Sequence, residues 1–402
     1  MASESEIIRT ADAAIANTYK RFPVVLTRGE GCTVSDEAGK TYIDFVSGIA
    51  VCNLGHAHPA VAKAIAAQAQ TLVHTSNLYY TVPQVEVARR LVDSSFADRV
   101  FFCNSGAEAN EAAIKLARKY YKDNGQPDRH RIVAMENSFH GRTMAALSAT
   151  GQEKIRKGFE PVLPGFDFVP FNDIEALTAR VDESTCAVLL EPVQGEGGVR
   201  CPQENFLKEV RQICDKTGTL LIFDEVQTGM GRTGSLFAYE CFAVEPDIMT
   251  LAKALANGLP MGAMLATEKI AASFGPGAHA STFGGTPLVS AAACEVLRIM
   301  TEGSVLENCR QAGDHFKKRL QQLAERHGIV RDVRGLGLLL GMELTVAGDP
   351  IVQACLDQGY LINCIQDKVL RFIPPLTIAT EQIDGLIECL DGMLAAADAK
   401  GK

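Results

Sequence analysis

A lysine and an aspartate, each next to a short apolar run, are the side chains in this sequence best suited to chemistry. Lys253 lies in the mostly apolar segment 248–255. A lysine in such a segment either extends to the surface, which is the commoner outcome, or is desolvated with a lowered pKa that suits Schiff-base formation. Asp224 follows the apolar run 220–223. A carboxylate at the carboxyl end of a parallel strand faces the ligand crevice, but an exposed loop acid fits the pattern equally well.

A turn of small residues comes before a helical pattern at residues 104–110, Asn-Ser-Gly-Ala-Glu-Ala-Asn. Ser105 and Glu108 have the spacing of a capping box, and capping alone accounts for both residues. Such a turn also exposes backbone N–H groups at the positive end of the helix dipole, where phosphate binds well. Capping is the better-supported interpretation of the residues themselves, and a phosphate site stays open.

Three further motifs have less specific meanings. Residues 229–234 match G-x-G-x-x-G, but a dinucleotide site needs a strand that ends at the first glycine and a helix that starts at the last. Residues 224–227 intervene here and no helix signal follows, so we expect no nicotinamide site. His56 and His58 lack a third metal ligand at a plausible spacing, which favours loop packing. Residues 191–198, Glu-Pro-Val-Gln-Gly-Glu-Gly-Gly, suit a tight turn that leaves the direction of Glu196 open.

The hydrophobic pattern predicts the strands and helices that position these side chains. Short apolar runs alternate with amphipathic helical stretches, which indicates a mostly parallel α/β sheet. The predicted strands of this sheet are 100–103, 131–135, 186–190, 220–223 and 261–266, with helices at 107–121 and 205–216. Helices at 288–300 and 305–327 then lead to strands at 329–333, 336–343 and 369–373 and a terminal helix near 381–397.

The first 50 residues have a pattern of their own. Residues 32–34 and 41–45 form a hairpin pattern around a turn at 36–40, and the sequence leaves its docking open. We predict an N-terminal segment at 1–50, a large domain at 51–290 and a small α+β domain at 291–402; the family resemblance described below implies that the N-terminal segment joins the small domain.

Composition excludes several classes of protein. The 402 residues are 47% hydrophobic and 22% charged, as in an ordinary globular enzyme, and the net charge of -9 argues against nucleic-acid binding. Twelve cysteines without C-x-x-C spacing indicate buried thiols in a reducing compartment. The first six residues do not resemble a secretory signal, and no apolar run approaches the roughly 18 residues that span a bilayer. We expect a cytoplasmic protein with no metal, nucleic-acid or membrane partner.

An amine, a carboxylate and a phosphate cup at successive strand ends together fit pyridoxal chemistry better than any other. The sequence also resembles the class III (ω-amino-acid) aminotransferases of the fold-type I pyridoxal-phosphate (PLP) superfamily, and within them the acetylornithine branch. The resemblance implies a large, mostly parallel PLP-binding domain and a smaller α+β domain built from both chain ends. It is carried by residues 17–19 (Asn-Thr-Tyr), 55–59 (Gly-His-Ala-His-Pro), 74–80 (His-Thr-Ser-Asn-Leu-Tyr-Tyr), 105–110, 139–142 (Phe-His-Gly-Arg), 191–198, 224–227 (Asp-Glu-Val-Gln), 371–376 (Arg-Phe-Ile-Pro-Pro-Leu) and the Lys253 segment.

The resemblance assigns the cofactor site. Lys253 would bind PLP covalently and carry protons, and Asp224 would keep the pyridine nitrogen protonated. Phe139 would stack on the ring. Thr282 would reach the phosphate bound by a second subunit, which implies a homodimer with active sites at the interface. The remaining cofactor contacts would come from Ser105, Gly106, Ala107, Val226 and Gln227.

The resemblance also implies the substrates. The terminal amino group of N-acetylornithine would pass to 2-oxoglutarate, giving N-acetylglutamate semialdehyde and glutamate in arginine biosynthesis. Arg142 would bind the α-carboxylate of the donor and Arg371 that of glutamate, since an arginine fork meets a carboxylate with two hydrogen bonds. Glu196 would neutralise Arg371 when no carboxylate is present there. Ser281 and Tyr19 would complete the substrate site.

Ile49 bears on the choice of donor. The resemblance implies that ornithine-type relatives tend to carry an aromatic polar residue at this position. The apolar Ile49 leaves no polar partner for a free α-amine, which favours a donor whose α-amine is blocked or absent. Succinylornithine, succinyl-diaminopimelate and 4-aminobutyrate therefore stay open as donors. Three other kinds of protein also stay open: an aminomutase, a nicotinamide dehydrogenase and a non-catalytic binding protein.

Overall fold

The computed structural model describes residues 3–400, with side chains described through Asp398; residues 1–2 and 401–402, which carry the ends of the predicted terminal segments, lie outside it. The strands of this part are β1 Leu26–Glu30, β2 Thr33–Asp36, β3 Thr41–Asp44, β4 Arg99–Cys103, β5 Arg131–Met135, β6 Phe166–Val169, β7 Thr185–Leu190, β8 Leu220–Asp224, β9 Ile248–Leu251, β10 Gly262–Ala266, β11 Val330–Leu336, β12 Leu339–Leu344, β13 Tyr360–Leu361, β14 Asn363–Ile365 and β15 Val369–Phe372.

The helices surround these strands, and a short 3-10 helix at Lys253–Ala256 follows β9. They are α1 Glu4–Ala14, α2 Ser47–Ala50, α3 Pro59–Ala69, α4 Val82–Asp93, α5 Gly106–Asp123, α6 Met144–Ser148, α7 Glu153–Arg156, α8 Ile174–Arg180, α9 Phe206–Thr217, α10 Ala238–Phe242, α11 Glu268–Ala271, α12 Pro287–Glu302, α13 Val305–Arg326, α14 Asp349–Asp357 and α15 Thr380–Lys400. Within residues 3–400 none of these helices combines the length and apolarity that a membrane crossing requires.

A seven-stranded sheet in the order β4-β10-β9-β8-β7-β5-β6 forms the centre of the molecule. The pairs β9–β8, β8–β7, β7–β5 and β5–β6 are parallel, whereas β10 is antiparallel to both of its neighbours. The prediction of a mostly parallel α/β sheet is therefore confirmed. Because only β10 is reversed, the carboxyl ends of β4, β5, β7, β8 and β9 all lie at one edge of the sheet.

The central strands are apolar on both faces because helices cover both sides of the sheet. Every residue of β7, β8 and β9 is buried. Leu189 and Ile222 pack in one cluster with residues of α5, and Leu190 and Phe223 pack in another with residues of α9. Burial of one such side chain contributes about 1.5–3 kcal/mol relative to leaving it exposed. This packing makes the sheet edge a rigid platform for the loops that follow.

The two chain ends meet in the smaller sheets. One has the order β1-β2-β3-β13, and the other has the order β11-β12-β15-β14. The predicted hairpin is confirmed as β2 and β3, and β3 pairs in parallel with β13. Beyond β3, the ring of Phe45 lies 5.6 Å from that of Phe316 in α13. This pairing supports the predicted joining of the N-terminal segment to the small domain, although the boundaries near residues 50 and 290 stay predictions.

Several elements were not predicted from the sequence. The strand β6 lies at the sheet edge and is only partly buried, so its pattern Phe-Asp-Phe-Val lacks a continuous apolar signal. The strand β9 was not predicted either. Its residues were considered only as the apolar surroundings of Lys253, which begins the 3-10 helix after β9. The helices α3 and α4 each begin with a proline in the first turn, a position that proline favours.

Candidate active site

The carboxyl edge of the large sheet opens into a cavity of about 410 Å³. This volume lies within the range of small-molecule sites, and a position at strand carboxyl ends is typical of ligand sites in α/β folds. Ten of the predicted site residues line the cavity: Ser105, Gly106, Ala107, Phe139, Arg142, Glu196, Asp224, Val226, Gln227 and Lys253. The fold therefore brings together residues from five separate loops.

Lys253 is the amine of this cavity. It begins the 3-10 helix after β9 with a φ of 47°, a left-handed conformation that is uncommon for a residue with a side chain. Its Nζ has no hydrogen-bond partner among the described side chains and backbone groups. Burial lowers the pKa of the Lys253 amine below its ordinary value, although Glu196 acts in the opposite direction. A lowered pKa increases the neutral, nucleophilic fraction of an amine.

Asp224, the last residue of β8, is the buried carboxylate, with 3% of its surface exposed. Its Oδ2 accepts hydrogen bonds of 2.7 Å from both Asn110 Nδ2 and His140 Nδ1, and its Oδ1 accepts one of 3.0 Å from the Val226 N–H. Asn110 is itself held by Thr250, whose Oγ1 donates to Asn110 Oδ1 at 2.8 Å. Three donors hold the carboxylate in one orientation, so an exposed loop acid is the wrong interpretation.

Asn110 and His140 were missed as site residues although both belong to motifs that carry the family resemblance. Asn110 ends the segment after Ser105, and His140 lies between Phe139 and Gly141. The available signal was therefore their place in these motifs, not a pattern of charge or spacing. Their role depends on the end of β8 lying close to α5 and to the loop after β5, which only the folded arrangement of the sheet and its helices determines.

The start of α5 forms the candidate phosphate cup. Ser105 Oγ accepts the N–H of Glu108 at 3.2 Å, and Glu108 Oε2 accepts the N–H of Asn104 at 2.8 Å, so capping is confirmed. The N–H groups in the first turn of an 18-residue helix have no partners within the helix, which makes this turn suited to binding an anion. A Cβ added to Gly106 would lie 2.7 Å from Val226 Cγ1, so this turn packs closely against the residues after Asp224.

Glu191 is a second buried acid of the cavity wall. Its carboxylate accepts hydrogen bonds of 3.1 Å from the N–H groups of both Phe139 and Gly195. Burial raises the pKa of Glu191 to about 7. Because it links the loop that carries Phe139 to the glycine turn before Glu196, Glu191 holds two walls of the cavity together. Its sequence context, the start of a tight turn, did not predict this role.

Two arginines of the site differ in how they are paired. Arg142 is exposed, lines the cavity and forms no ion pair with any described residue; its Cζ lies 5.6 Å from the centre of the Phe139 ring. Arg371, on β15, is 1% exposed, and its Nη1 donates to Glu196 Oε1 at 2.5 Å and to Gln227 Oε1 at 3.2 Å. One guanidinium is therefore free for a carboxylate, and the other is already neutralised.

The charge of Glu196 follows from its surroundings. Burial acts to raise its pKa, but the Arg371 guanidinium and then the Lys253 ammonium outweigh burial, and the pKa of Glu196 lies below its ordinary value. Glu196 is therefore ionised at neutral pH. The direction of this side chain, left open by the sequence, is toward β15 and Arg371.

Besides Arg371, which meets the cavity through Glu196, three predicted site residues do not line the cavity of the single chain. Ser281 accepts a hydrogen bond of 3.1 Å from Asn104 Nδ2, so it contacts one lining residue. Thr282 lies on the exposed surface beside it. Tyr19 is 70% exposed, with Arg21 Cζ 5.6 Å from its ring centre.

The remaining motifs serve the fold. The helix after β8 starts at Ala238, so the glycines of residues 229–234 do not lead into a helix N-terminus. Within that segment Arg232 is fully buried and donates to the carbonyl oxygens of Leu338 and Pro374 at 2.9 and 2.6 Å. His56 Nε2 bonds Asp44 Oδ2 at 2.7 Å. Within the described part of the chain, no cluster of His, Cys, Asp and Glu is suited to a metal ion.

Comparison with known proteins identifies the family. The profile described as "Aminotransferase class-III" matches residues 14–394. An acetylornithine aminotransferase of Methanocaldococcus jannaschii is 51% identical over 373 residues, which cover 93% of this chain and 94% of the relative. The crystal structure of N-acetylornithine aminotransferase from Stenotrophomonas maltophilia K279a matches with a TM-score of 0.84 and 39% identity over 98% of this chain and 100% of that one.

A structure of ornithine aminotransferase from Toxoplasma gondii, described with partial occupancy of PLP at its active site, matches with a TM-score of 0.95 and 32% identity over 100% of this chain and 96% of that one. The cavity residues fit this cofactor. Lys253 supplies an amine that no described residue hydrogen-bonds, Asp224 supplies a carboxyl acceptor held by donors, and the start of α5 supplies N–H groups for a phosphate. The chain therefore belongs to the PLP-dependent class III aminotransferases.

Proposed function

We propose that this enzyme transfers the terminal amino group of N-acetylornithine to 2-oxoglutarate, producing N-acetylglutamate semialdehyde and glutamate in arginine biosynthesis. The observation that carries the proposal is the unequal pairing of two arginines at one site, Arg142 free and Arg371 neutralised by Glu196. The name and 51% identity of the Methanocaldococcus jannaschii relative support the same donor.

In this proposal different residues of the cavity bind different parts of PLP. Ser105, Gly106 and Ala107 would hold the phosphate at the start of α5, and Phe139 would stack on the ring. Asp224 would accept a hydrogen bond from the protonated ring nitrogen, and Val226 and Gln227 would complete the contacts near the ring. When bound, PLP supplies an aldehyde that takes up the amino group and a ring that withdraws electrons from the reacting carbon.

Lys253 serves as the proton carrier of the reaction. Its Nζ lies in the cavity without a hydrogen bond to any residue that the structure describes, and burial lowers its pKa. A base works best when its pKa is near the working pH, so Nζ can take a proton from the substrate carbon and return one. Asp224 lies in the same cavity, where hydrogen bonds from Asn110 and His140 fix the orientation of its side chain.

The two arginines handle two differently shaped substrates. N-acetylornithine carries its carboxylate far from the reacting amine, and Arg142 binds it there. Glutamate carries a second carboxylate beside the reacting carbon, and Arg371 binds that group after Glu196 moves away. During the first half-reaction Glu196 thus remains paired with Arg371. Without this pair the buried guanidinium would carry an uncompensated charge, which costs free energy in a closed site.

The donor is tested by comparing initial rates with five amines at one concentration of 2-oxoglutarate. Ile49 does not line the cavity of the single chain, but the family resemblance implies a position near the α-amine of the donor, and its apolar side chain supports a blocked α-amine there. We expect N-acetylornithine to give the highest kcat/KM, above ornithine, succinylornithine, succinyl-diaminopimelate and 4-aminobutyrate. A higher value for any other amine overturns the assignment of the donor, and activity without a 2-oxo acid indicates an aminomutase instead.

We further propose that two copies assemble with active sites at their interface. Leu78, Tyr80 and Val82 are 84%, 97% and 83% exposed, and so much exposed apolar surface in one segment is typical of an interface. Thr282, Ser281 and Tyr19 would then complete the site between the copies. The twelve free cysteines support a reducing, cytoplasmic location.

Sedimentation tests the assembly. We expect Tyr80→Glu to convert a dimer into a largely inactive monomer, since the interface would have to bury an unpaired charge. Phe159→Glu, at a residue that is 57% exposed elsewhere on the surface, is the matched control and should remain dimeric and active. A wild-type enzyme that is active as a monomer contradicts this part of the proposal.

A further inference from the structure

Gln366 lies at the tip of the hairpin that carries Arg371. This hairpin joins β14 to β15, with Ile365 opposite Val369. At its tip Gln366 and Asp367 have φ angles of 48° and 61°, in the left-handed region that residues other than glycine adopt rarely. Such a conformation persists when surrounding contacts hold it. The side chain of Gln366 provides contacts of this kind.

That side chain joins the hairpin to two walls of the active-site cavity. Its Nε2 donates to the backbone oxygen of Glu196 at 2.9 Å and to Gln152 Oε1 at 3.2 Å. Gln152 in turn donates to the Ser138 carbonyl oxygen at 3.3 Å, next to Phe139. The hairpin that carries Arg371 is therefore hydrogen-bonded to the backbone of Glu196, the residue that neutralises Arg371.

The glycine turn is also held just after Glu196. Arg334 on β11 donates through Nη2 to the Gly198 oxygen at 2.7 Å and through Nε to the Val199 oxygen at 3.1 Å. With the backbone held at both positions, Glu196 can leave Arg371 by a movement of its side chain, which is 27% exposed, without a movement of the turn. The hydrogen bond from Gln366 fixes the backbone position from which that side chain reaches Arg371.

We propose that Gln366 is a positioning residue whose hydrogen bond to the Glu196 backbone determines how strongly Glu196 competes with a dicarboxylate for Arg371. The inference rests on the proposed function, because it assumes that a second substrate carboxylate displaces Glu196. It adds a residue outside the cavity that tunes the balance between substrates with one and with two carboxylates.

Binding of glutarate, an unreactive dicarboxylate, measures this competition without turnover. In the PLP-loaded enzyme we expect Gln366→Leu to bind glutarate about fivefold more tightly than wild type, as expected for loss of one neutral hydrogen bond that holds Glu196 in place. Gln366→Glu keeps the shape but cannot donate, and should have the same effect. Valerate, with one carboxylate for Arg142, should bind all three proteins equally.

Lys154→Met is the matched control, because exposed Lys154 contacts only the outer end of Gln366, at 3.5 Å from Oε1. It should bind glutarate as wild type does. Single-turnover rates provide a second measurement: both Gln366 variants should slow the N-acetylornithine half-reaction relative to the 2-oxoglutarate half-reaction. Unchanged glutarate affinity in both variants overturns the inference, as does an equal gain for valerate. A wild-type enzyme that binds neither acid overturns the proposed function instead.

Discussion

Replacing Glu196 with glutamine tests the ion pair on which the two-substrate mechanism depends. The change keeps the size of the side chain and an acceptor for Arg371 Nη1, now at 2.5 Å from Glu196 Oε1, but removes the charge. A hydrogen bond to a charged group contributes about 1.5–3 kcal/mol and a neutral one about 0.5–1.5 kcal/mol. Because 27% of the Glu196 side chain is exposed, solvent screens part of the difference, and we take about 1.4 kcal/mol, or tenfold.

The direction of the effect differs between the half-reactions. In the variant, Arg371 keeps an uncompensated charge whenever N-acetylornithine binds, so kcat/KM of that half-reaction should fall about tenfold. The carboxylates of 2-oxoglutarate meet no charged competitor, so kcat/KM of the second half-reaction should stay equal or rise. Stopped-flow absorbance of each half-reaction separately measures both values.

Glu204→Gln is the control for this experiment, since Glu204 is an exposed acid eight residues further along the chain. It should leave both half-reactions unchanged. The ratio of the two kcat/KM values is the decisive quantity. If Glu196→Gln lowers both by the same factor, or leaves the ratio at the wild-type value, Glu196 does not act as a switch.

Three further changes test the site and the fold. Lys253→Met in the apoprotein should raise Tm in calorimetry, and the increase should become larger as pH falls from about 10 toward 7. The reason is that the pKa of the buried amine is lower in the folded than in the unfolded chain, so protonation at lower pH favours the unfolded wild type. A difference in Tm that does not change with pH would refute this. Asn110→Ala removes one of two donors to Asp224 Oδ2 and should weaken PLP binding at least about tenfold in an absorbance titration, whereas wild-type affinity would show the bond to be dispensable. Arg232→Met leaves buried carbonyl oxygens unpaired and should lower the free energy of unfolding by about 3 kcal/mol in denaturant titrations. Arg331→Met, whose side chain is 73% exposed, should change it by less than about 0.5 kcal/mol.

The elements of the large sheet could be predicted from the sequence because their signals are local. Continuous apolar runs predicted β7 and β8, which are buried on both faces. The capping box at Ser105 depends on residues three apart and was likewise predictable. Edge strand β6 and the helices α3 and α4 were missed, because partial burial weakens the periodicity on which such predictions rest.

The residues of the site, too, were predictable from the sequence only in part. Residue type and position at a strand end, together with the family resemblance, singled out Lys253 and Asp224. Which side chains meet them was decided by tertiary structure: Asn110 lies 114 residues from Asp224 in the chain, and Glu196 lies 175 residues from Arg371. Helical and strand periodicity reports whether a residue is buried, but a hydrogen bond between distant segments depends on the order and direction of strands. No local pattern encodes that order, so these partnerships follow only from the folded chain.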